Sequence, residues 1–276
     1  MRLGYQSNGL QNHRLGDGLA LLAEHGYRAV GLTPDTCHLD PATTSPGQLA
    51  DLARQLADLG LEPVMETGAR FLLDARVKHE PTLMTPGPAR QRRLDYTSRT
   101  AAMGARLGAR VVSFWTGIDR QPGSDSRLRM LDGVRESCRR IRAEGLEPSL
   151  EPEPGMFVET VADWHRVRDE LGDEAPGLTL DIGHLYSVWE GEPAHVIGAV
   201  APFLCQVHLE DMRRGQHEHL EPGAGDVDFA AALTALKNAG YGGPVCFELS
   251  RSSHRAPAAV AACGELWRRC VGDPRR

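Results

Sequence analysis

Four polar side chains stand at the ends of four successive apolar runs in the second half of the chain. Glu151 closes EPSLE, Asp181 closes LTLD, His208 lies near the end of CQVHLE, and Glu248 follows PVCF. A carboxylate at the end of an apolar strand is costly to bury unless it is paired or binds a cation. Because three carboxylates and one imidazole on one face would repel one another, the pattern predicts a site for one divalent metal. Oxygen-rich ligation with one nitrogen suits Mn²⁺, which we favour, and also Co²⁺, Mg²⁺ or Zn²⁺.

These residue types predict proton-transfer chemistry on a small oxygenated molecule. A metal that holds adjacent carbonyl and hydroxyl oxygens polarises the C–H bond beside them. One glutamate then removes the proton, and a second glutamate on the other face returns it. Return with inverted configuration is epimerisation, and return to the neighbouring carbon is isomerisation. Glu151 and Glu248 are therefore the predicted catalytic pair.

The elements that must position these residues repeat along the whole chain. Short apolar runs are nearly continuous in hydrophobicity, as in parallel strands that are covered on both faces. They are Arg2–Gln6, Ala29–Leu32, Pro63–Glu66, Arg110–Phe114, Glu147–Glu151, Leu178–Asp181, Cys205–Leu209 and Pro244–Leu249.

Helical segments with apolar spacings of three and four lie between these runs. They are Leu19–Leu22 continuing into His25, Leu49–Leu59, Tyr96–Leu107, Leu128–Ala143, Val161–Leu171, Phe229–Ala239 and Ala258–Val271. Glycine ends most of them, as Gly26, Gly60, Gly108, Gly145, Gly172 and Gly240 show. Eight strands alternating with helices in 276 residues predict an α/β fold, a single (β/α)₈ TIM barrel domain over residues 1–276. No GxGxxG follows the first strand, which argues against a dinucleotide fold.

The longest predicted loop follows the third strand, from Thr67 to about Ala89. Loops of this length in a compact domain are often lids, so we expect it to cover the pocket and to supply Arg70. Glu66, Trp115 and Glu153 follow or end strands on the same side of the predicted barrel, and we assign them to substrate binding. A solvated insertion and structural roles for these side chains are the alternatives.

Composition limits the classes of function. The formal net charge of −6 and the pI near 6.0 argue against a nucleic-acid partner. No window reaches the roughly 18 apolar residues of a membrane span, and the N-terminal residues have no signal-peptide core. The 6 cysteines form no CxxC pair, so we expect free thiols and a cytoplasmic protein.

The motifs LEPEP, LTLDIGH, QVHLEDMRRG, HLEPGAGDVDF and VCFELS resemble those of the sugar phosphate isomerase/epimerase superfamily, the xylose isomerase-like TIM barrels. The resemblance implies that Glu151, Asp181, His208 and Glu248 are the metal ligands, with the two glutamates acting as acid and base. It also implies substrate contacts from His184 and Arg214, with Arg213 as an alternative to the latter. We assign His219 to substrate binding or loop ordering.

The leading expectation is a metal-dependent sugar or sugar-phosphate isomerase or epimerase of carbohydrate metabolism, which abstracts a proton next to a carbonyl held by the metal. A metal-dependent dehydratase of a polyol, or a hydrolase on the same barrel, is the alternative. An apurinic endonuclease-like phosphodiesterase is less favoured, because that branch carries more metal ligands and needs a basic groove. The expected partners are a small sugar, sugar phosphate or polyol and a second copy of the chain in a homodimer.

Overall fold

The computed structural model describes residues 1–272, and its eight strands follow one another in a closed barrel in the order β1 to β8. The strands are β1 (Arg2–Gln6), β2 (Ala29–Leu32), β3 (Glu62–Glu66), β4 (Val111–Phe114), β5 (Glu147–Leu150), β6 (Gly177–Asp181), β7 (Leu204–Leu209) and β8 (Pro244–Phe247). Every predicted strand is present within two residues of its expected bounds. The predicted (β/α)₈ fold class is therefore confirmed.

Helices separate the strands. They are α1 (Leu15–Glu24), α2 (Pro46–Leu59), α3 (Ala89–Leu107), α4 (Ser126–Ala143), α5 (Val161–Leu171), α6 (Ile182–Ser187), α7 (Pro193–Val200), α8 (Phe229–Asn238) and α9 (Ala256–Cys270). All six glycines expected to end helices have a positive φ, between 54° and 87°, a conformation that glycine adopts without steric cost. Within the described residues, no helix is long and apolar enough to cross a membrane.

Two helices were missing from the sequence interpretation, and several others begin earlier than expected. α6 has only six residues, and α7 has eight, which is too short to show a helical repeat of apolar positions. The sequence analysis placed the start of α3 at Tyr96, but the helix begins at Ala89. Its first two turns, which include ARQRR, are mostly polar and therefore show no apolar repeat. Apolar spacing marks only the part of a helix that packs on the barrel.

Contacts divide the chain into two compact units. The first unit consists of Met1–Leu32, Arg54–Pro63 and the described residues from Leu178 onward. In it β6 pairs with β7, β7 with β8, β8 with β1, and β1 with β2, all in parallel. The register places Asp181 beside His208, and His208 beside Cys246. The carboxyl ends of β6, β7 and β8 therefore bring their polar residues to one edge.

The second unit consists of Thr33–Ala53 and Val64–Gly177. In it β3 pairs with β4, and β4 with β5, again in parallel. Helix α3 ends at Leu107 and is followed by Gly108, whose φ is 80°. The backbone N–H groups of Gly108 and Ala109 donate to the carbonyls of Ala105 and Gly104. The expectation of a single domain over residues 1–276 stays a prediction.

Candidate metal and substrate site

Asp181 ends β6 and also begins the helix that follows. Its side chain accepts a hydrogen bond of 3.1 Å from the backbone N–H of His184 and so caps α6. Burial alone would raise the pKa of the carboxyl, but its polar neighbours, of which His184 contributes most, together outweigh burial, and the pKa lies below its usual value. Asp181 is thus an ionised, buried carboxylate whose Oδ2 lies 3.5 Å from Nε2 of His184.

His208 projects from β7 and is 1% exposed. Its Nδ1 lies 3.1 Å from Oε2 of Glu248. The side-chain amides of Gln6 and Gln206 lie 2.8 and 2.7 Å from its Nε2. With amide nitrogens at Nε2, the proton of the ring lies on Nδ1 and is donated to Glu248.

Glu248 follows β8 directly, and Asn8 donates a 2.8 Å hydrogen bond to its Oε1. Burial would raise the pKa of Glu248, but the hydrogen bond from His208 and the nearby His219 hold it far below its usual value. One donor atom each from Asp181, His208 and Glu248 lies within 4.8 Å of the other two. One buried and one half-buried carboxylate beside an imidazole nitrogen fit a divalent cation.

Glu151 belongs to the second unit and is the first residue after β5, where the sequence analysis had it closing the strand. Its side chain is 5% exposed, and its backbone N–H donates to the carbonyl of Phe114 at 2.9 Å. Its role as a fourth ligand stays a prediction.

Three histidines of the first unit, one from α6 and two from the loop after β7, cluster beside Asp181. The ring centroid of His184 lies 4.9 Å from that of His217 and 6.2 Å from that of His219. Burial, reinforced by His184 and His219, lowers the pKa of His217 to about 4. The ring of His217 is therefore neutral at pH 7, and a neutral imidazole can bind a cation or a sugar hydroxyl.

Glu210 is a functional-site candidate that the sequence analysis missed. It is fully buried on the segment after β7, and its Oε2 lies 3.9 Å from Nδ1 of His219. Burial, and then the neighbouring Asp181 carboxylate, raise its pKa well above the usual value. Because His208 and Glu210 are two residues apart, an extended backbone places them on the same face, and that spacing could have revealed it.

Arg214 stacks on an aromatic ring. Its guanidinium carbon lies 3.7 Å from the ring centroid of Trp189, and its backbone N–H donates to Asp226 at 3.0 Å. Arg213 and Arg214 are both exposed. Nothing in the sequence had singled out Trp189, whose φ of 50° is uncommon for a bulky residue.

The remaining predicted substrate residues lie in the second unit. Glu66 ends β3 and is 8% exposed. Arg70, with a φ of 33°, pairs with Asp35 at 3.6 Å. Trp115 follows β4 and contacts the ring of His79, while Glu153 donates its backbone N–H to Val158. Their substrate contacts stay predictions.

The loop after β3 is present with the predicted bounds, and Arg93 of α3 anchors it. The guanidinium donates to the carbonyls of Pro81, Thr67 and His79 at 2.8, 2.8 and 2.6 Å. It also lies 4.7 Å from the ring centroid of Trp115. The base of this loop is therefore fixed to the barrel wall, whereas its function as a lid stays a prediction.

Residues 19–269 match the profile of the xylose isomerase-like TIM barrels. The chain belongs to this family. It is 25% identical over 244 residues to the L-ribulose 3-epimerase of Mesorhizobium japonicum, covering 86% of this chain and 76% of the relative.

Solved structures of the family share the fold. The D-allulose 3-epimerase of Methylomonas sp. in complex with D-allulose has a TM-score of 0.77 at 18% identity, covering 98% of this chain and 97% of the other. The IOLI protein with a zinc atom has a TM-score of 0.77 at 20% identity, covering 98% of each chain.

Proposed function

We propose that this protein is a divalent-metal-dependent sugar epimerase or isomerase. The observation that carries the proposal is the cluster of Asp181, His208 and the half-buried Glu248, whose donor atoms lie within 4.8 Å of one another. Similarity to an L-ribulose 3-epimerase over most of the chain supports the reaction class. A structural relative that holds a zinc atom supports a metal in this fold.

The proposed donor set is Glu151, Asp181, His208 and Glu248. Glu151 is included as a buried carboxylate directly after a strand, the same setting in the chain as that of Glu248. Three carboxylates and one imidazole favour Mn²⁺ and also accept Co²⁺, Mg²⁺ or Zn²⁺. When bound, the ion would act as a Lewis acid on the oxygens next to the reacting carbon.

The protein's own groups would then move the proton. Glu248 is ionised, and Asn8 and His208 fix its two oxygens, so it can accept a proton from a carbon held against it. Glu151, the other glutamate, would return a proton on the opposite face. His184, Arg214 and His219 of the first unit, with Glu66, Arg70, Trp115 and Glu153 of the second, would bind substrate hydroxyls or an anionic group.

We further propose a cellular compartment, a substrate class and an assembly for this protein. All 6 cysteines are free, which fits a cytoplasmic protein of carbohydrate metabolism. The expected substrate is a ketose, its phosphate or a related polyol. A homodimer is the expected assembly.

Turnover in D₂O tests the reaction class. The purified protein, loaded with Mn²⁺, is incubated with a panel of ketoses, ketose phosphates and cyclic polyols. We expect deuterium at a carbon beside the carbonyl, seen by NMR, and a product of unchanged mass apart from deuterium. Loss of water would instead indicate a dehydratase, and turnover without carbon-bound deuterium would reject proton abstraction.

Metal dependence has its own test. Elemental analysis of the purified chain should show bound divalent metal, and removal by a chelator should abolish turnover and lower the melting temperature. Full activity in metal-free protein would reject this part of the proposal.

A further inference from the structure

Asp211 is a buried acid of the first unit that the proposed reaction does not use. It lies shortly after the end of β7 and is 1% exposed. Among the described residues, only backbone N–H groups donate hydrogen bonds to its carboxylate. Burial of a carboxylate is costly unless donors of this kind surround it. The position of these donors in the chain therefore indicates what the carboxylate holds.

The donors lie at three separate points of one segment, from Met212 to Val227, which we call the β7–α8 loop. Oδ1 of Asp211 accepts hydrogen bonds from the N–H groups of Met212 and Val227, both at 3.0 Å. Oδ2 accepts a hydrogen bond from the N–H of Gly223 at 2.7 Å. One side chain thus joins the two ends of the loop and a point between them.

The backbone of Asp211 closes the same loop a second time. Its N–H donates to the carbonyl of Leu220 at 3.0 Å, and its carbonyl accepts from the N–H of Leu220 at 2.8 Å. This antiparallel bridge divides the β7–α8 loop into two parts. The part before Leu220 carries Arg214, His217 and His219.

Glycines allow the loop to pack closely on the carboxylate. A Cβ on Gly225 would lie 2.5 Å from Oδ1 of Asp211 and 2.7 Å from the backbone nitrogen of Met212. Gly223, which donates to Oδ2, has a φ of 94°, a conformation that glycine adopts without steric cost. A methyl group at position 225 would therefore displace the loop from the carboxylate.

The first part of the loop reaches the candidate site. The ring centroids of His217 and His219 lie 4.9 and 6.2 Å from that of His184. The guanidinium carbon of Arg214 lies 3.7 Å from the ring centroid of Trp189. Side chains that the proposed function assigns to substrate binding therefore belong to a segment that one buried carboxylate closes.

We propose that Asp211 is a positioning residue of the candidate site, which holds the β7–α8 loop so that Arg214 and His219 are in place before substrate binds. Asp211 acts through the loop and does not itself contact substrate. The inference deepens the proposed function and rests on it for the substrate. Because preorganised groups lose less conformational freedom on binding, the expected consequence of this contact is a lower KM.

Hydrogen exchange and kinetics together test this role. Full-length, Mn²⁺-loaded wild type and Asp211→Asn are compared by hydrogen–deuterium exchange with mass spectrometry and by steady-state kinetics on the best ketose. The asparagine amide replaces one acceptor oxygen with a donor, so at least one N–H group of the loop loses its partner. We expect exchange in the β7–α8 loop to become about tenfold faster or more, with exchange in β8 and the metal content unchanged. KM should rise about tenfold, while kcat changes less than about threefold.

A second variant disturbs the same contacts from the other side. Gly225→Ala leaves Asp211 intact but places a methyl group against its Oδ1, and it should show the same faster exchange and higher KM. It serves if Asp211→Asn fails to fold by circular dichroism. Asp228→Ala is the matched control, because Asp228 caps α8 by accepting from the N–H of Ala231 at 2.9 Å. Its loss should lower the melting temperature without faster exchange in the loop or a higher KM.

The outcomes are distinct. Wild-type exchange of the loop in both Asp211→Asn and Gly225→Ala would show that Asp211 does not hold it and would overturn the inference. Faster exchange with a wild-type KM would leave the carboxylate a stabilising role only, and an equal rise of KM in Asp228→Ala would assign the effect to general loss of stability; either result also overturns it. A wild type that turns over no ketose, ketose phosphate or polyol would reject the proposed function and the substrate part of this inference, whereas the exchange data alone decide whether Asp211 holds the loop.

Discussion

Buried polar side chains are satisfied in different ways in the two units. In the first unit Asp181 and Glu248 are acceptors with few donors, and Glu210 accepts no hydrogen bond from any described residue. In the second unit Arg93 donates to three carbonyl oxygens and packs on aromatic rings. The first arrangement is the one for which we propose an added cation, whereas the second is complete within the protein.

This difference separates function from stability. Groups that repel one another in the absence of a ligand destabilise the fold and are retained where they bind something. Groups that form hydrogen bonds with one another stabilise the fold and position the loops around them. Substitutions in the first region should therefore affect turnover and metal binding most, and substitutions in the second should affect the free energy of unfolding most.

The largest expected effect comes from Glu248→Gln. Loss of the proton acceptor should reduce kcat by about 10³-fold or more, while the melting temperature of the metal-free protein should fall modestly, because the lowered pKa of Glu248 means that its surroundings stabilise the charge. Steady-state kinetics on the best ketose and thermal unfolding measure the two effects. Glu265→Gln, on the exposed face of α9, should change neither, and normal turnover by Glu248→Gln with metal bound would remove Glu248 from the catalytic pair.

Much of the barrel, and the placement of the candidate residues at its strand ends, could be predicted because both depend on local pattern. Buried parallel strands are continuous apolar runs, and Asp181, His208 and Glu248 interrupt such runs at their ends. Gln206, His208 and Glu210 alternate along the chain, so an extended backbone places their side chains on one face. The same pattern therefore indicated Glu210, although the sequence analysis selected only His208.

Other features depend on packing that no local pattern encodes. Arg92 and Arg93 are adjacent in the same polar stretch of α3, yet only Arg93 is buried at 3% exposure. Which of them faces the barrel depends on the phase of the helix and on the fold of the loop after β3. The stacking of Trp189 on Arg214 likewise joins two loops whose conformations follow from the whole fold.

The next largest effect should follow from Arg93→Lys. Burial lowers the pKa of the guanidinium to about 10, so it stays charged at neutral pH. Lysine keeps the charge but cannot reach three carbonyls with its single nitrogen, and the free energy of unfolding should fall by about 2–4 kcal/mol. Urea unfolding measures this. Arg92→Lys, at an exposed neighbour, should cost under about 0.5 kcal/mol, and an equal cost for both variants would contradict the anchoring role of Arg93.

A smaller effect, about 2 kcal/mol at most, is expected from His79 between pH 7 and pH 5. Burial lowers the pKa of this ring to about 4, below the value of about 6.5 in an unfolded chain. The unfolded state binds the extra proton first, so this stability is present above pH 6.5 and is lost as the pH falls toward 4. Between pH 7 and pH 5 the free energy of unfolding, measured with urea, should fall more in the wild type than in His79→Gln. Equal decreases would mean that the ring of His79 is exposed to solvent and that its pKa is not lowered.

The smallest effect should come from the stacked pair Trp189 and Arg214. A guanidinium on an exposed aromatic face contributes about 0.5–1 kcal/mol, so each single substitution, Trp189→Leu or Arg214→Lys, should raise KM a few-fold and leave kcat nearly unchanged. The double variant should be little worse than either one, because the second change removes a contact already lost. Arg213→Lys, next in the chain and also exposed, should not alter KM. If Arg213→Lys raises KM and Arg214→Lys does not, the substrate-binding arginine is Arg213. If the two effects of Trp189→Leu and Arg214→Lys simply add, the ring does not position the guanidinium.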